Sequence, residues 1–509
     1  MQSAKRPFWR SPYFWILSVF AVSRIAYYAA GVRFDYTPLR DFFQIADPLL
    51  LRTRLFETLL YLHTQPPGFN LLIGLALKLF PSSYGNALWG IYLACGLSLC
   101  FTLFRLMRLL GVRPAIAAAL TAIFLASPGV VLFENFLMYE YPMMALLCAS
   151  AVLLEWLLRQ PGRWPAIAFF GTLAALMYLR ALFHLGWFIL IAAAVLWLIR
   201  ANRRQVFAVA AVAFCFVVVL YAKNAVIVGS FTSSTWLGFN AETITIHQLT
   251  DEEHERLIRE GYVSPISRIS SLDELSKFQG IITMPPPTGI PVLDQTHDST
   301  GRMNYNNIAY LKLHPIYIHD AEEIILHAPI AYVRSVVRAF FTYFLPTGDF
   351  TFFQQNGPKI EPFDRAFNII FFGQWRQASN RKDLRRLDAS GGTWLLPLYT
   401  GTYLLVGLPL LFGWGVWKVW RAVRERAWRN PRIILLAYIL FQIAFMTALV
   451  NLLSCFENNR YRLPIDPFFV VLLGMAIERI IIGAQSRSKQ TSPTPAQAEH
   501  SPSRATAGM

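Results

Sequence analysis

The chain has 509 residues, 55% of them hydrophobic and only 15% charged, with a net charge of +16. That balance excludes an ordinary soluble globular protein, because several apolar runs approach or exceed the roughly 18 residues needed to cross a bilayer. The positive charge does not point to nucleic acid: the basic residues cluster in short loops between apolar runs, which is the positive-inside pattern of a polytopic membrane protein.

The first apolar run, 13–31, follows Lys5, Arg6 and Arg10, so the N-terminus is expected in the cytoplasm. It has no small-residue cleavage site and reads as an anchor rather than a cleavable signal peptide. The stretch 31–68 that follows is too polar to span and too patterned to be slack. Thr37-Pro38 and Asp47-Pro48 each read as an N-cap followed by proline at the first helical position. Apolar residues then recur at helical spacing, Leu39, Phe42, Phe43 and Ala46, then Leu51, Leu55, Leu59 and Leu62. Two short amphipathic helices lying in the membrane interface are therefore predicted, the second ended by His63-Thr64-Gln65-Pro66-Pro67. Residues 68–80 are apolar but make only about 20 Å of helix, which suits a re-entrant or interfacial piece.

Nine further spans are expected at 86–107, 114–132, 142–158, 165–179, 182–199, 206–222, 394–417, 433–453 and 468–484. The basic loops alternate with polar exits such as Phe133-Glu134-Asn135, Tyr139-Glu140-Tyr141 and the Arg180 turn, so ten spans place both termini inside. The region 229–393 is long enough for a small folded outer domain. It carries an acidic helical patch at 251–260, three consecutive prolines at 285–287 and an interfacial helix at 329–345. The tail 485–509, rich in Ser, Pro, Thr and Ala, reads as disordered. The organisation is an N-terminal membrane module at 1–228 with its outer loop at 32–67, the outer domain, a C-terminal membrane module at 394–484, and the tail. The fold class is an all-α polytopic membrane protein with a small outer domain, α+β or irregular. Cys95, Cys100, Cys148, Cys215 and Cys455 show no CxxC spacing, so neither a disulfide framework nor a metal site is indicated.

Four places together resemble the GT-C superfamily of membrane glycosyltransferases, especially bacterial relatives of protein O-mannosyltransferases and of the lipid A aminoarabinose transferase. They are the acidic first outer loop, the 63–67 stretch, Arg180 with Ala181-Leu182-Phe183-His184, and Glu457-Asn458-Asn459-Arg460-Tyr461-Arg462-Leu463-Pro464. The resemblance covers the membrane part and not the outer domain. It implies a GT-C-type bundle in the plasma (inner) membrane with its site facing outward. It further implies transfer of a sugar from a polyprenyl-phosphate donor to an acceptor glycan, lipid or protein, a first-loop carboxylate acting as general base. The family's adjacent Asp-Glu pair is missing here. Asp35, Asp41 and Asp47 stand singly; Asp35 is the preferred base, having no cap to make, Asp41 in the first turn of its helix is the second choice, and Asp47 is explained as a helix cap. The acceptor's identity stays open, and so does a divalent metal.

The leaving phosphate would need cations at the outer interface. Arg460 and Arg462 stand where the positive-inside rule disfavours them, and arginine matches phosphate oxygens bidentately. Arg180 and His184, read as i, i+4 on one helical face, are further candidates. Glu140 is a second acidic group of the site or a cap before Pro142. Glu457 belongs to the same motif as the arginines. His63 caps a helix or lines the site. Arg24 lies in the first span and should face a polar interior. Competing readings are a transporter or lipid flippase, an O-antigen ligase or polymerase, and a non-catalytic scaffold. A transporter should show internal repeats and polar groups at the midplane, whereas here they gather at one face.

Overall fold

The computed structural model describes residues 9, 11–377, 397–455 and 457–491, with side chains to residue 485. Among these residues extended backbone pairs only as isolated bridges, Asp35 with Phe136, Gln279 with Ile282 and His297 with Met303, and everything else is helix, turn or loop. Six helices are long and apolar enough to cross a membrane: Tyr84–Leu109, Glu140–Arg159, Arg203–Val228, Thr402–Arg424, Pro431–Leu453 and the run Asn458–Gln485. Two sharply bent pairs raise the number to 8 if each is one span. The protein is thus all-α and polytopic, a form that satisfies every backbone polar group within a bilayer. The helices Pro12–Ala29, Arg163–Leu179 and Leu185–Leu198 fall at the sequence positions of three further expected spans. The last two are about 25 and 21 Å long, shorter than the roughly 30 Å hydrocarbon core.

Proline sets both bends. Ser127 is extended and Pro128 restarts the chain, so Pro114–Ala126 and Pro128–Glu134 meet at 59°. Ala328 and Pro329 turn the chain by 103° between Tyr310–His327 and Pro329–Tyr343.

Glu140–Arg159 is the central rod. It packs on Tyr84–Leu109, Arg163–Leu179, Pro431–Leu453 and the turn Leu463–Ile465, and 67% of its apolar window is buried. Because the helices alternate in direction, the ends carrying Arg108, Arg159, Arg163, Arg203 and Arg424 lie opposite the end that starts at Glu140. Lys5, Arg6 and Arg10 fall outside the described residues, as does the predicted tail from 492 on. Residues 485–491, assigned to that tail, instead continue the helix Asp466–Thr491.

The first loop differs from the expected pair of amphipathic helices. Only one turn forms after Thr37, Pro38–Asp41, and the second helix breaks at Arg54 into Pro48–Thr53 and Leu55–Tyr61. Gly68–Leu79 follows and packs against Pro48–Thr53. A Cβ at Gly68 would sit 2.6 Å from the Tyr178 carbonyl oxygen, so only glycine permits that approach. Residues 229–377 build a core of their own from Trp236, Phe239, Leu257, Phe278, Tyr310 and Tyr317. The acidic patch forms Asp251–Arg259 with a Thr250–Glu253 capping box. Phe43 of the first loop stacks on Trp236 with centroids 5.2 Å apart. Residues 229–377 and the first loop therefore pack against each other.

Candidate functional site

The site forms where the short helix Asn458–Arg462 meets the start of Glu140–Arg159. Glu140 occupies the first turn of its helix, where the dipole favours a carboxylate. It is completely buried, yet neither carboxylate oxygen receives an aligned hydrogen bond among the described residues. Its counter-charge is Arg460, only 2% exposed, whose Nε lies 3.1 Å from Glu140 Oε1 and whose Nη1 lies 3.1 Å from Glu457 Oε2. Arg460 Nη2 donates to the Tyr461 hydroxyl at 2.6 Å. The guanidinium is framed by the rings of Phe42, Phe350 and Tyr461, at 5.9, 5.4 and 4.5 Å. Such framing excludes water and strengthens every electrostatic contact inside.

Arg180 reaches the same place from another part of the chain. Its Nη2 stands 3.5 Å from the Tyr461 hydroxyl, so one phenol lies within reach of two guanidinium groups. Its Nη1 donates to Gln44 Oε1 at 2.6 Å and to Gln65 Oε1 at 3.1 Å. Gln44 Oε1 also accepts from the Tyr139 hydroxyl at 2.7 Å, and the Arg180 guanidinium stacks 4.4 Å from the Tyr139 ring. Burial pushes the Tyr139 phenol upward, so it stays protonated and donates. Two guanidinium groups and two carboxylates therefore converge, set in a shell of amides and phenols. That arrangement can bind a phosphate through the arginines and offer a carboxylate as proton acceptor.

The other predicted residues fall elsewhere. Arg462 turns away from Arg460. Its Nε donates to Asp466 Oδ1 at 2.9 Å and Nη1 to the carbonyl of Tyr343, at the C-terminus of Pro329–Tyr343. It joins two helices and complements a helix dipole, which is a structural duty. Arg180 and His184 do not share a helical face, because helix stops at Leu179 and resumes at Leu185. His184 is exposed beside the Phe445 ring, with centroids 5.5 Å apart. His63 is fully buried between Thr235 Oγ1 at 2.8 Å and the Asn306 carbonyl at 3.0 Å. Burial pushes it down to about 3, so it is neutral and clamps the first loop to residues 229–377. Arg24 finds its partner in Glu134, bonding both carboxylate oxygens at 2.9 and 2.5 Å, while the Tyr141 hydroxyl holds the same carboxylate.

Of the first-loop carboxylates, Asp41 is exposed and pairs only with Arg40 at 3.0 Å. Asp47 does cap its helix, accepting from Leu49 N at 2.8 Å, and also holds Ser299. Asp35 is 4% exposed and does have a local duty. Its Oδ1 accepts from the amide and hydroxyl of Thr37 at 2.9 and 2.7 Å, and its main chain bridges Asn135 and Leu137. Asp35 thus lies against the segment that leads into Glu140. Among the described residues no three His, Cys, Asp or Glu side chains group to hold a metal ion.

The sequence reading missed Gln44, Gln65, Tyr139 and Tyr461, which tie the cations together, and Glu134 as the partner of Arg24. Gln65 stood inside the 63–67 motif and Tyr461 between the two arginines, so motif position carried a signal. For Gln44 only the contact itself reveals it. No protein-family model matches the sequence, and neither a curated protein nor a solved structure matches it.

Proposed function

We propose that the protein is an integral-membrane glycosyltransferase that moves a sugar from a polyprenyl-phosphate donor to an acceptor on the outer face of the plasma membrane. The observation that carries this reading is the convergence of Arg460 and Arg180 on the Tyr461 hydroxyl beside the buried Glu140. It lies at the end of the bundle opposite the basic loops, where the positive-inside rule expects the exterior. In this reading the arginines hold the phosphate as it leaves, so the departing group needs little protonation. A carboxylate takes the acceptor's proton while its oxygen attacks the anomeric carbon, inverting the configuration. Asp35 is that base by its place in the first loop, and Glu140 is the second acidic group beside the guanidinium. Ten crossings follow if Pro12–Ala29, the bent pair 114–134, Arg163–Leu179 and Leu185–Leu198 each traverse the bilayer beside the six long helices.

The test is the purified chain in nanodiscs, incubated with radiolabelled polyprenyl-phosphate hexoses, pentoses and amino sugars and a lipid extract as acceptor. Label should leave the polyprenyl carrier with the wild-type chain and stay on it with Arg460→Gln. Movement of an intact donor across the bilayer of sealed proteoliposomes, without cleavage, would instead make the protein a flippase.

A further inference from the structure

A cavity opens on the far side of Asp35 from the arginine cluster. It has a volume of about 470 Å³ and lies where the end of Pro12–Ala29 meets the start of Tyr84–Leu109. That size is within the roughly 300–1,000 Å³ of small-molecule sites. Five aromatic rings line it, Tyr28, Phe34, Tyr36, Tyr84 and Trp89. Tyr36 meets Tyr84 edge-on at 5.6 Å, and Gly85 lets the rings close up, since a Cβ there would press on Tyr36 at 3.3 Å. The polar lining is neutral apart from one cation: Ser82, Ser83, Asn86 and Asn135 stand beside Arg33. That cation is already engaged, its Nη1 donating to the carbonyls of Tyr28 and Val32 at 2.6 and 2.9 Å and its plane stacked 3.5 Å from the Tyr28 ring.

This chemistry selects a ligand class. A phosphate is best clamped by more than one cation, and Arg33 is the one cation among the lining residues, with its Nη1 already given to main-chain carbonyls. A purely apolar chain would leave the amides and hydroxyls unpaired. A pyranose ring offers both faces required: C–H groups to lie on aromatic rings and hydroxyls to bond amides. Position adds to this. Asp35 sits between the lining residues Phe34 and Tyr36, and its amide donates to the carbonyl of the lining residue Asn135 at 2.8 Å. On the far side, Asp35 bridges to Phe136, which packs on Phe350 at 6.1 Å, and Phe350 lies 5.4 Å from the Arg460 guanidinium. The preferred base therefore stands in the wall between the aromatic cavity and the arginine cluster.

We propose that this cavity is the acceptor subsite and takes a neutral sugar unit, its ring laid on Tyr36 and Trp89, with its reacting hydroxyl turned towards Asp35. The assignment rests on the transferase reading for the word acceptor, but not for the binding itself.

Saturation-transfer NMR on the full chain in nanodiscs tests it, with methyl glycosides of hexoses, N-acetylhexosamines and pentoses as probes. At least one glycoside should give a signal whose apparent Kd rises about tenfold or more in the Tyr36→Ala, Trp89→Ala double variant. Tyr36→Phe alone should keep it near the wild-type value. Unfolding profiles of all variants, matched to wild type, keep a folding defect from passing as lost binding; Asn86→Ala serves as the exposed substitute if the aromatic variants misfold. Absence of signal with every glycoside, or a signal that survives the double variant, overturns the subsite. Consumption of donor without glycoside binding would remove the subsite and leave the transferase. Glycoside binding with this dependence, but no donor ever consumed, would leave a glycan site and remove the transferase.

Discussion

Arg460→Gln is the most informative perturbation, because it removes the cation 3.1 Å from Glu140 where the two side chains are only 2% and 0% exposed. The direct attraction is not what dominates. At about 4 Å it is worth roughly 1 kcal/mol in water and about 4 at an effective dielectric of 20. The larger effect is the carboxylate left behind, since breaking a buried pair by removing one partner typically costs about 3–5 kcal/mol. Glu457 suffers less, because 16% of its side chain is exposed and water can reach it. The reciprocal change, Glu140→Gln, is milder: Arg460 keeps Glu457 at 3.1 Å and the Tyr461 hydroxyl at 2.6 Å. A loss of about 1–3 kcal/mol is expected there. The double variant should be more stable than the sum of the singles by about 1–3 kcal/mol, the coupling of residues in direct contact. Chemical denaturation of the four proteins in mixed micelles, followed by circular dichroism, measures that cycle. Burial makes the coupling insensitive to salt between low and physiological ionic strength. Additivity within about 0.5 kcal/mol would refute the buried pair.

Three further outcomes follow from the geometry. Arg24→Ala should destabilise by about 3–5 kcal/mol by stranding Glu134, and Arg24→Met with Glu134→Leu should recover most of it; thermal unfolding of both decides. His63 is held neutral at about 3, below its ordinary value of 6.5, so stability contributed by its neutral form is present above about 6.5 and is lost as pH falls towards 3. The slope is about 1.4 kcal/mol per pH unit, so wild type should lose roughly 2 kcal/mol more than His63→Gln between pH 6.5 and pH 5, and parallel unfolding curves would sink the assignment. Asp35→Asn keeps an oxygen for Thr37 and should fold, yet transfer should drop about 10²–10⁴-fold, whereas Asp41→Asn, exposed and paired only with Arg40, should match wild type in the radiolabel assay.

The sequence by itself determined the helical, membrane-embedded class, because apolar run length and loop charge are one-dimensional properties that the bilayer reads directly. It also determined Asp47 as a cap, since Asp-Pro fixes both the acceptor and the backbone angle of a helix start. It placed Arg180, Glu140, Glu457 and Arg460 among the candidates by their shared exits at one end of the bundle. It did not divide the two neighbouring arginines. Arg460 and Arg462 lie two apart on a helix, so their side chains point about 160° apart, and only the packing of neighbouring helices decided which one meets Glu140 and which one Asp466. The Arg180–His184 reading failed because a spacing of four brings side chains together only if the backbone is helical between them, and there it is not. The partnership of Arg24 with Glu134 spans 110 residues, and no local pattern encodes a contact at that separation. The tertiary structure alone brought Gln44, Gln65, Tyr139 and Tyr461 around the two guanidinium groups, because a buried cation takes its hydrogen-bond partners from whichever elements the fold sets beside it.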